Sequence, residues 1–395
     1  MIQKIPLTNL EYLHGLLIKK GKAKMKRLPE KIRKTLEKKV KEMRVEEHIY
    51  GVGLFGSWSR GEAARSSDID LLVLQEGSFR NDFVERTEIN GLLIDLDHIP
   101  KRWIPGSIPP RLDQKIHEMQ ILYDRDWSLT NTKLMMAKTF STPERVEIRT
   151  KAHIIESDVY LSRATSAFSR KDFPSAQLFA TVALDHILQV FVEIALESIS
   201  NSRFIQKLDL STTKLGMQSI FHDYLRITDL ETANNETVED KLKLFKAIWD
   251  EINFTVNRHP DVLESSHFRI RTKLKYYSNQ AFLQGMMIRA RSLIDSGEMI
   301  EATHYLKNVV VDMIENYAWL KSSIANIKVD STSLMRSLET LEGEKSKHHN
   351  DILTFLDLRN TGKSSVANTI EATKHIMLTT RDKRKALIKN HLLNS

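Results

Sequence analysis

Residues 50–75 constrain the fold of this chain more than any other stretch. An apolar run from Val52 to Phe55 ends in Gly56-Ser57, a polar stretch carrying Arg60, Gly61 and Arg65 follows, and Asp68-Ile69-Asp70 leads into Leu71-Leu72-Val73-Leu74. Short apolar runs bounded by turn residues predict strand, tight turn, short helical or irregular stretch, strand. Side chains alternate along a strand, so Asp68 and Asp70 point to one side, roughly 6.5–7 Å apart. Two unpaired carboxylates make a poor hydrophobic core, because buried charge is costly. They make a good grip for a divalent cation.

A third acid follows in another strand-like run, Leu92-Leu93-Ile94-Asp95-Leu96-Asp97-His98-Ile99. Asp95 and Asp97 again share a face. A strand carrying Asp95 beside the one carrying Asp68 and Asp70 gathers three carboxylates, the oxygen ligands that Mg²⁺ prefers while keeping part of its shell for water and phosphate. The Gly56-Ser57 turn offers backbone N–H groups and a hydroxyl to a phosphate. Ser57 has a second reading as the cap of the short helix that opens near residue 58. Asp97 is surplus, either supporting the other acids or solvated. Arg60 and Arg65 are the nearest flexible cations, and Arg60 is the better phosphate contact.

Gly56-Ser57-x-x-x-Gly61, Ser67-Asp68-Ile69-Asp70-Leu71 and Ile94-Asp95-Leu96, in this order and spacing, resemble the signature of the DNA polymerase beta-like nucleotidyltransferase superfamily. The resemblance covers roughly residues 48–127. It implies that Asp68, Asp70 and Asp95 bind two Mg²⁺ ions and that Gly56, Ser57 and Arg60 hold the terminal phosphates of ATP or another nucleoside triphosphate. It also implies attack by a substrate oxygen on the α-phosphorus with release of pyrophosphate, the metals clamping attacking and leaving oxygens. The surrounding protein then positions reactants and stabilises charge.

The chain has 395 residues, enough for two or three domains, and no cysteine, which excludes disulfides, thiolate zinc sites and cysteine nucleophiles. The N-terminus lacks the apolar segment of a signal peptide, and the longest apolar-rich helix, near 176–199, contains Asp185, His186, Glu193 and Glu197. A cytoplasmic location is expected. The net charge is +8, yet residues 19–44 alone hold thirteen Lys or Arg against three Glu. That run permits RNA contact; its plainer reading is a solvated helix preceded by a Lys-rich loop.

The expected fold is α+β: a small mixed-sheet domain over 1–127 with a basic helical extension, then a large all-helical region. The latter divides into a substrate-binding part, 128–260, and a second bundle or continuation, 261–395. Helices are expected over 7–18 and from Pro29; strands near 50–55, 69–75 and 91–98; a loop over 19–27 and 101–110. Later helices are expected at 128–139, 143–168, 174–200, 212–228, 236–256, 266–295, 298–324, 331–343, 349–358 and 364–392. His348-His349 reads as surface, and Asp185-His186 as a pair without partners at metal-ligand spacing.

Asp185, Gln189 and Glu193 stack at i, i+4 and i+8 on the apolar helix 174–200. Glu193, Asp185 and, on the preceding helix, Glu156 are therefore candidates for acceptor contact or general base. The architecture resembles aminoglycoside nucleotidyltransferases, which implies adenylation of a small hydroxylated molecule, an aminoglycoside among the options. The motif selects neither the nucleotide nor the acceptor. Transfer to an RNA 3′ end or a protein side chain is the alternative that the basic run favours, and a non-catalytic nucleotide-binding or regulatory protein is a third.

Overall fold

The structure, a computed structural model, describes residues 28–64, 66–104, 108–343 and 346–393. The helix expected over 7–18, the basic loop 19–27 and Arg65 lie outside the described residues. The chain forms two compact units, the first ending at Phe140 and the second starting at Ser141. A mixed α/β unit is thus followed by a large all-helical one.

In the first unit, α1 (Glu30–Met43) precedes β1 (Ile49–Phe55), α2 (Gly56–Arg60), β2 (Ile69–Gln75), β3 (Phe83–Ile89), β4 (Leu92–Pro100), α3 (Asp113–Glu118), β5 (Gln120–Asp124) and α4 (Ser128–Thr139). The strands form one sheet in the order β3-β4-β2-β1-β5. β2 and β4 run parallel, and the other neighbours antiparallel. β3 forms a hairpin with β4 through Asn90-Gly91. Both turn residues have positive φ, 56° and 71°, as a two-residue hairpin turn of matching twist requires.

The sheet is covered on both faces. Ile32, Leu36, Val40 and Met43 of α1 pack on Val52, Leu54, Ile69, Leu71, Val73, Ile94 and Leu96. The period of the α1 stripe matches the expected helix face. On the other face Leu72, Leu74 and Ile99 meet Ile116 of α3 with Met119, and Leu129 and Met136 of α4. Here the helical layer lies close to β1: a Cβ at Gly53 would stand 2.9 Å from Met119 Sδ. That second face is apolar at one end and carries the acids at the other.

The second unit contains α5 (Pro143–Ser169), α6 (Phe173–Ile194), α7 (Phe204–Lys214), α8 (Gln218–Ile227), α9 (Asn235–Arg258), α10 (Pro260–Ser265), α11 (Phe268–Tyr277), α12 (Gln280–Asp295), α13 (Met299–Ala325), α14 (Leu334–Glu342), α15 (Lys347–Phe355) and α16 (Lys363–Leu393). Three expected helices are shorter than their apolar patterns. The helix begun at 174 stops at Ile194, with Leu196 at φ 55° just beyond it. The helix placed at 212–228 is two, parted at Gly216 with φ 66°. The stretch 266–295 is broken near Asn279, whose side chain accepts from Ala281 N–H to start α12.

Among the described residues, α6 is the one helix long and apolar enough to cross a membrane, and most of it is buried within the helical unit. His348 and His349 are buried, not on the surface: His348 lies 3.1 Å from Glu342 and edge-on to Tyr317. Asp185 and His186 also have partners. Asp185 accepts from Tyr224 Oη at 2.6 Å, and His186 stacks on Tyr160.

Candidate active site

Strand register builds the site. Asp70 of β2 lies opposite Asp95 of the parallel neighbour β4, and Arg86 of β3 lies opposite Asp95 from the other side. Phe55, the last residue of β1, lies opposite Asp70. Opposed residues share a face, so Phe55, Asp70, Asp95 and Arg86 form one row across four strands. Asp68 immediately precedes β2 and meets the same row through Arg86.

Arg86 dominates the row's electrostatics. Its Nε donates to Asp95 Oδ1 at 2.6 Å and its Nη2 to Asp95 Oδ2 at 2.5 Å, a bidentate grip. The same Nη2 donates to Asp68 Oδ2 at 2.6 Å. The Arg86 side chain is 5% exposed, that of Asp95 12% and that of Asp68 23%. A guanidinium therefore stands between two of the three predicted carboxylates and offsets the repulsion that would otherwise oppose their assembly.

Asp70 occupies the other end of the row, against the bend. Gly56 has φ 72°, and a Cβ there would collide with Asp70 Oδ2. Glycine is required twice at this position, for the left-handed backbone and for the carboxylate's approach. The sequence motif thus joins turn and acid physically.

The turn is already engaged by an internal anion. Glu118, at the end of α3, accepts from Gly56 N–H at 2.8 Å through Oε1 and from Arg60 Nη1 at 2.7 Å through Oε2. Gln114 Nε2 adds a contact to Oε2 at 3.3 Å. Arg60 also donates to Glu62 at 2.8 Å, so its guanidinium is shared between two carboxylates. Ser57 lies inside the first turn of α2, whose N-cap is Phe55, so the expected capping role is not the one it takes. Arg65 lies outside the described residues.

Asp97 is neither solvated nor idle. Its carboxylate is 3% exposed and pairs with Lys115 of α3. Burial acts to lower the Lys115 pKa, but Asp97, Asp82 and Asp70 outweigh it and hold the ammonium above the ordinary lysine value. Lys115 also stands 5.3 Å from the Phe55 ring.

The donor chemistry of Asp68, Asp70 and Asp95 suits a hard divalent cation, with carboxylate oxygens on one sheet face beside a glycine bend. As the side chains stand, Arg86 holds two of these acids, and among the described residues no group of three or more His, Asp or Glu is arranged as a metal cluster.

The three acids named in the helical region have distinct settings. Glu193 is buried and accepts from Arg149 Nε at 2.5 Å, with His153 at 3.5 Å. Burial acts to raise its carboxyl pKa; His153 and Arg149 prevail and hold it below the usual range. Asp185 and Gln189 line a cavity of about 30 Å³, room for a water or two, with Ile199, Ser200, Asn201, Phe204, His304 and Asn308. Glu156 is exposed.

Sequence reasoning missed Arg86, Glu118 and Lys115. Only Arg86 had a readable signal. Once Asn90-Gly91 is a two-residue hairpin turn, Ile89 faces Leu92, and three steps outward Arg86 must face Asp95.

A family model described as a nucleotidyltransferase domain matches residues 30–105, spanning α1 through β4 and all three acids. No curated protein matches the chain. A solved structure described as a nucleotidyltransferase-like protein from Exiguobacterium sibiricum is similar over 70% of this chain and 87% of its own, at 15% identity and a TM-score of 0.31. The first unit has a nucleotidyltransferase-like fold, and a helical C-terminal region follows it.

Proposed function

We propose that the chain transfers a nucleoside monophosphate from a nucleoside triphosphate, ATP being the first candidate, to a hydroxyl of a small molecule. The observation that carries this reading is the row in which Asp70 presses on the Gly56 bend while Asp95, one strand away, is oriented by Arg86. A fold alone does not imply function. A row of acids meeting a left-handed glycine turn is a site with its own chemistry.

In this reading Asp68, Asp70 and Asp95 hold two Mg²⁺ ions, which supply charge stabilisation for phosphoryl transfer. Arg86 fixes the rotamer of Asp95 through two parallel hydrogen bonds and limits how far Asp68 can swing. Gly56, Ser57 and Arg60 face the phosphates of the nucleotide. Asp97 keeps Lys115 charged beside Phe55 and Asp70, where a fixed cation stabilises negative charge developing on phosphate. Within the helical unit, Asp185 is bonded to Tyr224 and Glu193 to Arg149, and Glu156 is the one of the three candidate acids that is exposed.

The test is incubation with Mg²⁺ and labelled nucleoside triphosphates against pools of aminoglycosides, tRNA and proteins. Label should pass to a small hydroxylated acceptor and should vanish in Asp70→Ala. Label on tRNA or protein would move the acceptor to the alternative class, to which the exposed lysines of α1 would then contribute. Absence of transfer to every pool would favour a non-catalytic, nucleotide-binding or regulatory role.

A further inference from the structure

We infer that Glu118 is an exchangeable internal anion that sets which ligands the Gly56–Arg60 turn accepts, excluding weakly charged anions and yielding to a polyphosphate. The identification of the ligand as the polyphosphate end of a nucleotide rests on the reading above. The exchange itself rests on Glu118.

The carboxylate of Glu118 occupies the two donors a phosphate would take at this bend, Gly56 N–H at 2.8 Å and Arg60 Nη1 at 2.7 Å. One oxygen serves each donor, as two phosphate oxygens would. The side chain is 9% exposed, so the pair is largely shielded from water. Its charge counts against any incoming anion. Arg60 contributes one positive charge, Glu118 and Glu62 one negative charge each, so the bonded trio is net negative. A second anion can take Gly56 N–H and Arg60 Nη1 only by displacing Glu118.

The local sequence makes this arrangement unexpected. Glu118 is the last residue of α3, at the negative end of the helix dipole, a place that disfavours an acid. A local rule broken without need marks a functional site more often than an ordinary surface position. The backbone does not depend on the carboxylate for its place. Ser59 Oγ donates to the Glu118 carbonyl at 2.6 Å, and Gln120 Nε2 donates to the Ser59 carbonyl at 2.9 Å. The side chain can therefore rotate away while the backbone of α2 and the end of α3 stay joined.

Selectivity follows from competition. Inorganic phosphate brings about one or two charges and must overcome an intramolecular carboxylate at high effective concentration. A magnesium-bound tripolyphosphate brings more charge and a cation that relieves the neighbouring acids, so it displaces the carboxylate where phosphate fails.

The experiment is calorimetric titration of the full chain with inorganic phosphate and with magnesium tripolyphosphate, in wild type, Glu118→Gln, Arg60→Gln and the double variant. Glutamine keeps the shape and removes the charge. The expected result is tighter tripolyphosphate binding in E118Q by about tenfold, the removal of one competing charged hydrogen bond. Phosphate should bind measurably in E118Q alone, and the gain should disappear on the Arg60→Gln background. Equal or weaker affinity in E118Q, or a gain that survives loss of Arg60, overturns the proposal. Should E118Q fail to fold, the carbon resonance of the Glu118 carboxylate in wild type must shift as tripolyphosphate saturates the protein, and an unmoved resonance overturns it equally. Tripolyphosphate binding with this pattern but without nucleotidyl transfer would sink the enzymatic reading and leave the exchange standing.

Discussion

Replacing Arg86 by methionine tests the carboxylate row most directly. The side chain is 5% exposed and makes two bonds to Asp95 and one to Asp68. Methionine fills much of the volume and removes the charge, leaving Asp95 buried without its bidentate partner. Breaking a buried ion pair from one side costs roughly 3–5 kcal/mol. Asp68, at 23% exposure, recovers part of its share through water, so the lower end of that range applies. At about 3–4 °C per kcal/mol for a unit of this size, the first unit should lose about 10 °C in calorimetry. Magnesium should restore much of it. A divalent ion at a hundred times its dissociation constant adds about 2.7 kcal/mol to the state that binds it. Arg86→Met should therefore gain more from Mg²⁺ than wild type does, at ionic strength matched with KCl. A melting point within about 1 °C of wild type without metal would show that the bonds to Arg86 carry little energy. An equal response of both proteins to Mg²⁺ would show that the vacated row does not take a divalent ion.

Two further outcomes follow from particular contacts. Gly56→Ala should abolish nucleotidyl transfer, since the new Cβ drives Asp70 Oδ2 off the bend, while the left-handed φ alone costs about 1 kcal/mol; transfer assays and melting curves measured together separate the two effects. In the helical unit burial acts to raise the Glu342 carboxyl pKa, but His348, Tyr317 and Lys321 draw it from the ordinary 4.5 down to about 2. A folded value below the unfolded one stabilises above pH 4.5, and the contribution, about 3 kcal/mol, is lost as pH falls toward 2. Glu342→Gln should flatten that part of the urea-unfolding stability profile, and an unchanged acid slope would refute the assignment.

The legible part of this protein was the part governed by periodicity. Apolar runs beside turn residues marked β1, β2 and β4, and the Ile32, Leu36, Val40, Met43 stripe marked α1. The all-helical character of the second unit followed from its changed period. Helix ends were less legible, because they depend on single residues that the apolar pattern overruns. Gly216 parts α7 from α8, and Leu196 ends α6 in a backbone state that its own side chain disfavours. At the site, strand alternation gave the shared face of Asp70 and Asp95, and the Asn90-Gly91 hairpin turn sets Arg86 opposite Asp95. Glu118 had no sequence signal. It lies 62 residues from the Gly56 N–H it accepts from, and only the path of α3 over the sheet brings them together.

The polar face of the sheet holds its own counter-ions, and this changes what ligand binding must mean here. Arg86 neutralises Asp68 and Asp95, Lys115 neutralises Asp97, and Glu118 satisfies the Gly56 N–H and Arg60. An isolated site of this composition would be strained by repulsion among its acids and by unmet N–H groups. Internal pairing removes that strain and lets the fold persist without ligand. Binding is then an exchange of ion pairs, with a net gain much smaller than the gross attraction between substrate and site. Such a site favours a ligand that brings both charges together. Under the proposed function a magnesium-bound triphosphate would do so, giving the acids a cation and the Gly56 turn an anion in a single step, where free nucleotide or free metal would make only half of the exchange. Affinity for ATP and for Mg²⁺ should consequently be mutually dependent, each tightening the other by the same factor, and independent binding of the two would contradict this account of the site.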